Sequence, residues 1–429
     1  MMSDAAHATP PRSAIMSSEE TTFSPRSQWG AFRHRAFTLY WAARLLASFS
    51  VNIVSVAIGW QVYDLTKNPL DLGIIGLVQF LPALALVLVT GAAADRFNRR
   101  MILIISILGE ALAVAGLLLF VASGSHRIGI VFAILFGFGI VRAFLGPAAG
   151  ALAPNLVPAK DLSTAIAWNS SAWQFATITG PVVGGLLYGV TPIAPFLAAM
   201  ILLFVAVALL IAMPHVSQMR LIDKASWESV VAGFRYVWKE KIVLGAISLD
   251  LFAVLLGGAT ALLPVYARDV LAAGPLGLGL LRAAPAIGSI SVAAWLAFHP
   301  VRDHAGILLF VFVTLFGVFT VIFGLSTVTW VSVAALALMG ACDMVSVYIR
   351  ETLIQLWTPD ALRGRVNAVN TVFIGASNEL GEFRAGVSAA LLGAVGAVVF
   401  GGVGTVIIAG VWAKLFPALR GARRLDGRP

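Results

Sequence analysis

The sequence predicts an all-α membrane protein: twelve transmembrane helices in two pseudo-symmetric six-helix bundles. Three observations predict it. Hydrophobic residues make up 59% of the 429 and charged residues only 11%, whereas a soluble domain carries about 25% charged. A crossing helix needs about 20 apolar residues, and that ruler fits this chain twelve times. An internal repeat at a constant offset of 201 then relates Gly139 to Gly340, Leu152 to Leu353, Pro158 to Pro359 and Ala167 to Ala368, and likewise Asn169 to Asn370, Gly180 to Gly381 and Gly185 to Gly386.

Taken in order, the first 35 residues are polar, with four arginines and no apolar run. They lack the apolar stretch of a signal peptide and predict a disordered tail. The first bundle (36–213) holds spans near 37–63, 70–94, 100–122, 128–151, 162–190 and 193–213. Next comes a polar linker, 214–243, where Trp227, Phe234, Tyr236 and Trp238 alternate with Glu228, Arg235, Lys239 and Lys241, a pattern suited to a helix lying on a membrane surface. The second bundle (244–416) holds spans near 244–267, 276–298, 304–325, 329–352, 365–392 and 395–416, and 417–429 form a second tail. With twelve crossings both termini share a side. That side collects 21 of the 29 Lys and Arg, the opposite loops three (Lys67, Arg127, Arg268), and five lie within spans. Cytoplasmic loops collect positive charge, so both tails and the linker are expected in the cytoplasm.

The net charge of +9 does not point to nucleic acid, because the basic residues are short clusters at the ends of apolar runs. Cys342 is alone, so no intrachain disulfide forms. The six histidines (His7, His34, His126, His215, His299, His304) fall in tails, in loops or near span ends, which argues against a metal pathway built on imidazole. No G-x-x-x-x-G-K-[ST] run occurs, so a transporter built this way draws on an ion gradient. Nothing groups a nucleophile with a base; no enzymatic activity, cofactor or metal is expected.

Four groups of residues carry potential chemistry. The turn after the second span reads Gly91-Ala-Ala-Ala-Asp95-Arg96-Phe97-Asn98-Arg99-Arg100. It is either a gate latch, with Asp95 capping a neighbouring helix end and the arginines meeting acidic partners or lipid, or a plain positive-inside turn. The matching turn of the second half, 298–303, is degenerate. Arg142 lies past the middle of the fourth span, where a guanidinium requires a partner, a wet cavity or a snorkelling route. Gly180-Pro181-Val182-Val183-Gly184-Gly185 in the fifth span spaces small residues for close helix approach, with a proline that bends the helix. Six acids lie in or beside spans: Glu110, Asp250, Asp343, Glu351, Glu379 and Glu382. A charged carboxylate is costly in hydrocarbon, so each is a potential proton carrier. Asp343 stands at the repeat offset from Arg142, which suggests a charge pair between spans four and ten; Asp250, Glu379 and Glu382 are further coupling candidates, with Arg384 as a possible partner. Arg44 and Arg282 are close enough to span ends to snorkel. Polar and aromatic residues on apolar spans (Asn52, Trp60, Gln61, Gln79, Trp168, Asn169, Trp173 and Gln174) are candidates for substrate contact or for packing.

The spacing G-x-x-x-D-R-x-x-R-R at 91–100 resembles the signature of the major facilitator superfamily. R-x-x-x-G at Arg142 and Gly146 resembles its proton-coupling motif, and G-P-x-x-G-G at 180–185 resembles the antiporter motif of its exporters. Longer stretches, Leu249–Ala253, Gly257–Asp269, Asp343–Gln355, Arg363–Asn370 and Ile374–Phe383, resemble the enterobactin exporter family of bacterial inner membranes. The resemblance implies proton-driven export of a catecholate siderophore or related bulky solute, from a chain expected to work as a monomer. A multidrug or macrolide pump is the alternative. A sensor that has kept a transporter fold is a third reading, to which the short polar tails lend no soluble domain.

Overall fold

A computed structural model of the chain describes residues 29–214, 227–301 and 303–422. The first six crossings are α1 (Arg35–Thr66), α2 (Pro69–Arg96), α3 (Arg99–Ala122), α4 (Ile128–Leu152), α5 (Leu162–Val190) and α6 (Ala194–Ala212). Helix α7 (Trp227–Lys239) follows, then α8 (Lys241–Gly257), the short α9 (Leu263–Val265), α10 (Gly274–Phe298), α11 (Ala305–Leu325), α12 (Thr329–Trp357), α13 (Asp360–Leu415) and α14 (Pro417–Arg420). Among the described residues, ten stretches are long and apolar enough to cross a membrane. One of them, 362–415, is 54 residues long, about 80 Å at 1.5 Å per residue. Gly393, at φ 75°, breaks it into two crossings. The 29-residue α5, more polar than the rest, completes twelve.

Local chemistry sets the ends. Asn68 Oδ1 accepts from the Leu70 N–H at 3.1 Å ahead of Pro69, the first residue of α2. Asn98 caps α3 by accepting from Arg100 N at 3.0 Å, the usual role of Asn at a helix start. The seventh crossing departs from the single helix expected over 244–267. α8 stops at Gly257, a 3-10 turn spans Thr260–Leu262, and a π turn spans Tyr266–Val270. The reason lies on α13: Arg384 donates to the carbonyls of Leu255 (3.0 Å), Leu256 (2.5 Å) and Gly258 (3.3 Å), so the broken backbone finds partners.

The repeat is visible as matched helix crossings. A side chain at Gly139 would fall on the Gln79 backbone of α2, and one at Gly340 on the Pro285 backbone of α10. Gly180 meets Phe49 and Asn52 of α1, as Gly381 meets Val254 and Leu255 of α8. Gly185 and Gly386 reach across the halves, to Pro275 and to Pro69 with Gly73.

Parts of both expected tails and of the linker fall within the described residues and pack on the bundles. Residues 1–28, 215–226 and 423–429 of those segments lie outside the described residues. Gly30–Arg33 form a 3-10 turn whose Phe32 packs edge-on against Trp41 and Trp168. Helix α7 is docked, with the Tyr236 hydroxyl donating to the Trp357 carbonyl and Gly233 against Arg365. α14 folds back on the second bundle, burying Leu419, and Gly306 N donates to Ala422 O at 2.9 Å.

Candidate functional site

A cavity of about 500 Å³ lies between the halves, walled by α1, α2, α4, α5, α10 and α13. At the end away from α7 it is sealed. Asp64 pairs with Arg268 and with Lys67, and the Tyr63 hydroxyl donates to Asp269. The Arg268 guanidinium also lies 6.0 Å from the Trp60 ring centre. Toward α7 the seam between α2 and α13 opens. The α2 face that touches α13 at Gly73 and Gly76 continues, at helical spacing, through Leu84 (44% exposed) and Val87 (46% exposed) to Gly91, where an added side chain would meet no other element within 4 Å. On α13 the matching strip runs through Val372, 40% exposed, to Gly364, which is equally open. The cavity is closed at one end and splayed at the other.

Its polar lining comes from both halves. Arg142 enters from α4 and, among the described residues, makes no hydrogen bond or ion pair; its guanidinium lies 5.9 Å from the Phe138 ring centre. Arg282 is half-buried in the wall, not snorkelling, and donates to Ser55 Oγ while its buried Nε has no partner. Glu382 accepts from the Thr260 hydroxyl at 3.0 Å, and Glu379 sits beside it one turn away. Of the residues expected to contact substrate or to pack, Asn52, Gln79 and Trp173 line the cavity.

Other expectations are redistributed. Gln61 accepts from the Tyr188 hydroxyl at 2.5 Å, Trp60 lies tilted against the Tyr188 ring, and Trp168 packs among Trp29, Phe32 and Trp41; none of these lines the cavity, nor does the half-buried Asn169. Arg142 and Asp343 do not meet. Asp343 occupies a separate pocket of about 20 Å³, room for about one water, beside Asp250, which is ion-paired with buried Arg350 on its own helix neighbour α12. The repeat offset matches helix positions, but α4 and α12 stand in different bundles. Glu351 accepts from Asn370 at 2.7 Å. Arg384 serves the α8 carbonyls and not the cavity acids, because the helix break leaves those carbonyls within its reach. In the 91–100 turn, Arg99 donates to Ala94 O and Ala151 O, and Arg100 to Leu210 O and Ile211 O. These arginines cap helix C-termini, where cations are favoured; Asp95 and Arg96 are exposed. Gly180 and Gly184 pack on α1, leaving Gly185 beside Pro181 to face α10.

The sequence matches the family described as transmembrane secretion effector over residues 26–427. The chain belongs to that family. It is a multi-pass membrane transporter of the major facilitator type, similar to relatives named enterobactin exporter EntS. That of Escherichia coli O1:K1 is 26% identical over 376 residues, covering 85% of this chain and 86% of the relative; that of Citrobacter koseri is 26% identical over 378 residues with the same coverage. Among solved structures, a variant of the nucleoside transporter NupG superposes with a TM-score of 0.73 at 11% identity, over 89% of this chain and 100% of that one. A bacterial homologue of the human lysosomal transporter Spinster, inward-facing and unoccupied, gives 0.69 at 13% identity, over 91% and 97%. At such identities these two show the fold alone.

Two features escaped the sequence reading. The Tyr63, Asp64, Arg268 and Asp269 clasp was visible only as scattered loop charge. Arg282 was noticed, but nothing in one sequence says that a guanidinium a third of a span from an end turns inward.

Proposed function

We propose that this protein is an exporter of the bacterial inner membrane that moves a bulky, siderophore-like organic solute against protons, with both termini and α7 in the cytoplasm. The carrying observation is the cavity, open toward α7 and lined by two arginines and two glutamates, a size within the range of small-molecule sites. The 21-to-3 distribution of basic residues supports the orientation, and the relatives' name supports the solute class. The solute enters from the α7 end, the α2–α13 seam closes behind it, and the Asp64–Arg268 clasp releases. Closure carries exposed Asp95 toward the start of α13, where a helix N-terminus favours a carboxylate; this is the latch. Glu379 and Glu382 share the cavity with Arg142, which makes them the first candidates for coupling and moves Asp250 and Asp343 to a structural role.

The test compares catechol siderophore in the medium of a deletion strain and its parent under iron limitation. Loss from the medium with accumulation in the cell is expected, together with loss of export when an uncoupler collapses the gradient. Unchanged secretion sinks the siderophore reading, and a macrolide-resistance defect in the same strain would install the multidrug alternative.

A further inference from the structure

Glu110 is the one spanning acid with no task so far. It sits mid-way along α3, 1% exposed, and neither carboxyl oxygen has a hydrogen-bond partner. The charged groups whose fields reach it are Arg142 from α4 and Arg44 from α1. Among the other helices packed on α3, α6 carries no titratable side chain, and α2 carries Asp71, Asp95 and Arg96 only near its ends. Glu110 lies about 16 Å along α3 from its start, and Arg142 about 15 Å from the end of antiparallel α4, at 1.5 Å per residue, so the two are level in the membrane. Arg142 and Glu379 line the same cavity from opposite bundles. Arg142 is thus a guanidinium without a bonded partner among the described residues, placed between one acid in its own bundle and another in the opposite bundle.

An ionised carboxylate with no partner is not tolerated in such an interior; the group takes up a proton instead. We propose that Glu110 is a proton-binding residue of the transport cycle, which holds a proton while Arg142 faces the cavity and releases it when Arg142 turns back to pair with it. The exchange balances: the carboxylic acid becomes a carboxylate, its proton leaves to cavity water, and Arg142 stays charged throughout. A solute that occupies the space beside Glu379 and Glu382 displaces Arg142 toward Glu110. Solute binding and the proton on Glu110 then exclude each other through the movement of one guanidinium, which is the exclusion an antiporter needs. The cycle role rests on the proton-driven export proposed above; the protonation of Glu110 does not.

Infrared difference spectra of the purified full chain, titrated from acid to alkaline pH, read that protonation directly. Glu110→Gln keeps the side chain's size and should remove one carboxyl's share of the protonated C=O band; an undiminished band overturns the proposal. Arg142→Gln supplies the second reading, useful even if Glu110→Gln folds poorly. Without its guanidinium the band should persist to more alkaline pH, and an unmoved titration overturns the pairing. For the cycle role, enterobactin is added to the protein in weakly buffered detergent. The wild type should release a proton on binding and Glu110→Gln should release one fewer. Equal release from both counts against Glu110, whereas failure of enterobactin to bind the wild type counts against the siderophore reading.

Discussion

Buried Arg350 is paired with the largely buried Asp250, and Arg350 Nε still lacks a partner. Such a pair is costly to break from one side, since the remaining charge is stranded. Asp250→Asn is expected to destabilise the protein by about 3–5 kcal/mol, measured by thermal unfolding in detergent; a loss under about 1 kcal/mol would return Asp250 to the coupling candidates. Asp95→Asn belongs to the opposite kind. Asp95 is exposed in this state, so the variant should insert and unfold like the wild type yet transport more slowly. Unchanged transport would make the turn a topology signal only.

Helix crossings divide by whether they persist through the cycle. Gly139 and Gly340 each hold two helices of one bundle at backbone contact, so a side chain there strains every state. Gly139→Val should cost about 1–3 kcal/mol of stability, the usual penalty of overpacking. Gly185 and Gly386 touch the opposite bundle, and only at the closed end. Gly386→Ala should therefore leave stability nearly intact and favour the state open at that end. Labelling of a cysteine at Thr177, on the cavity wall, from the side away from α7 should rise, in a background with Cys342 replaced. Equal labelling would mean that the crossing does not separate during transport.

For the molecule as a whole the closed end is held by helix crossings and by a charged clasp that is itself partly exposed. Asp64 and Arg268 are 43% and 30% exposed, and surface pairs of this kind contribute about 0–1 kcal/mol. Arg268→Ala should thus shift the balance between the two openings by no more than about fivefold, seen as faster labelling at Thr177→Cys; complete loss of closure would show that the clasp outweighs the helix crossings. Orientation has its own check. A cysteine replacing Ser123, exposed at the end of α3, should react with an impermeant reagent on intact cells, and one replacing Lys239 on α7 should not. The reverse pattern would invert the membrane assignment.

The sequence by itself determined the solvent, the crossing number and the two-fold plan. These depend on apolar length and on a repeat, both local properties that hydrocarbon enforces on every span. It also flagged Asn52, Gln79, Arg142, Trp173, Glu379 and Glu382, since a polar group on an apolar span is conspicuous wherever it lands. Only the tertiary structure decided partnership. Arg142 and Asp343 share a repeat position but stand in separate bundles; Asp250 is matched with Arg350, Arg384 with a broken helix, and Asp64 with Arg268 across 204 residues of chain. Charge in a low-dielectric interior is governed by distance, and distance across a bundle is set by packing.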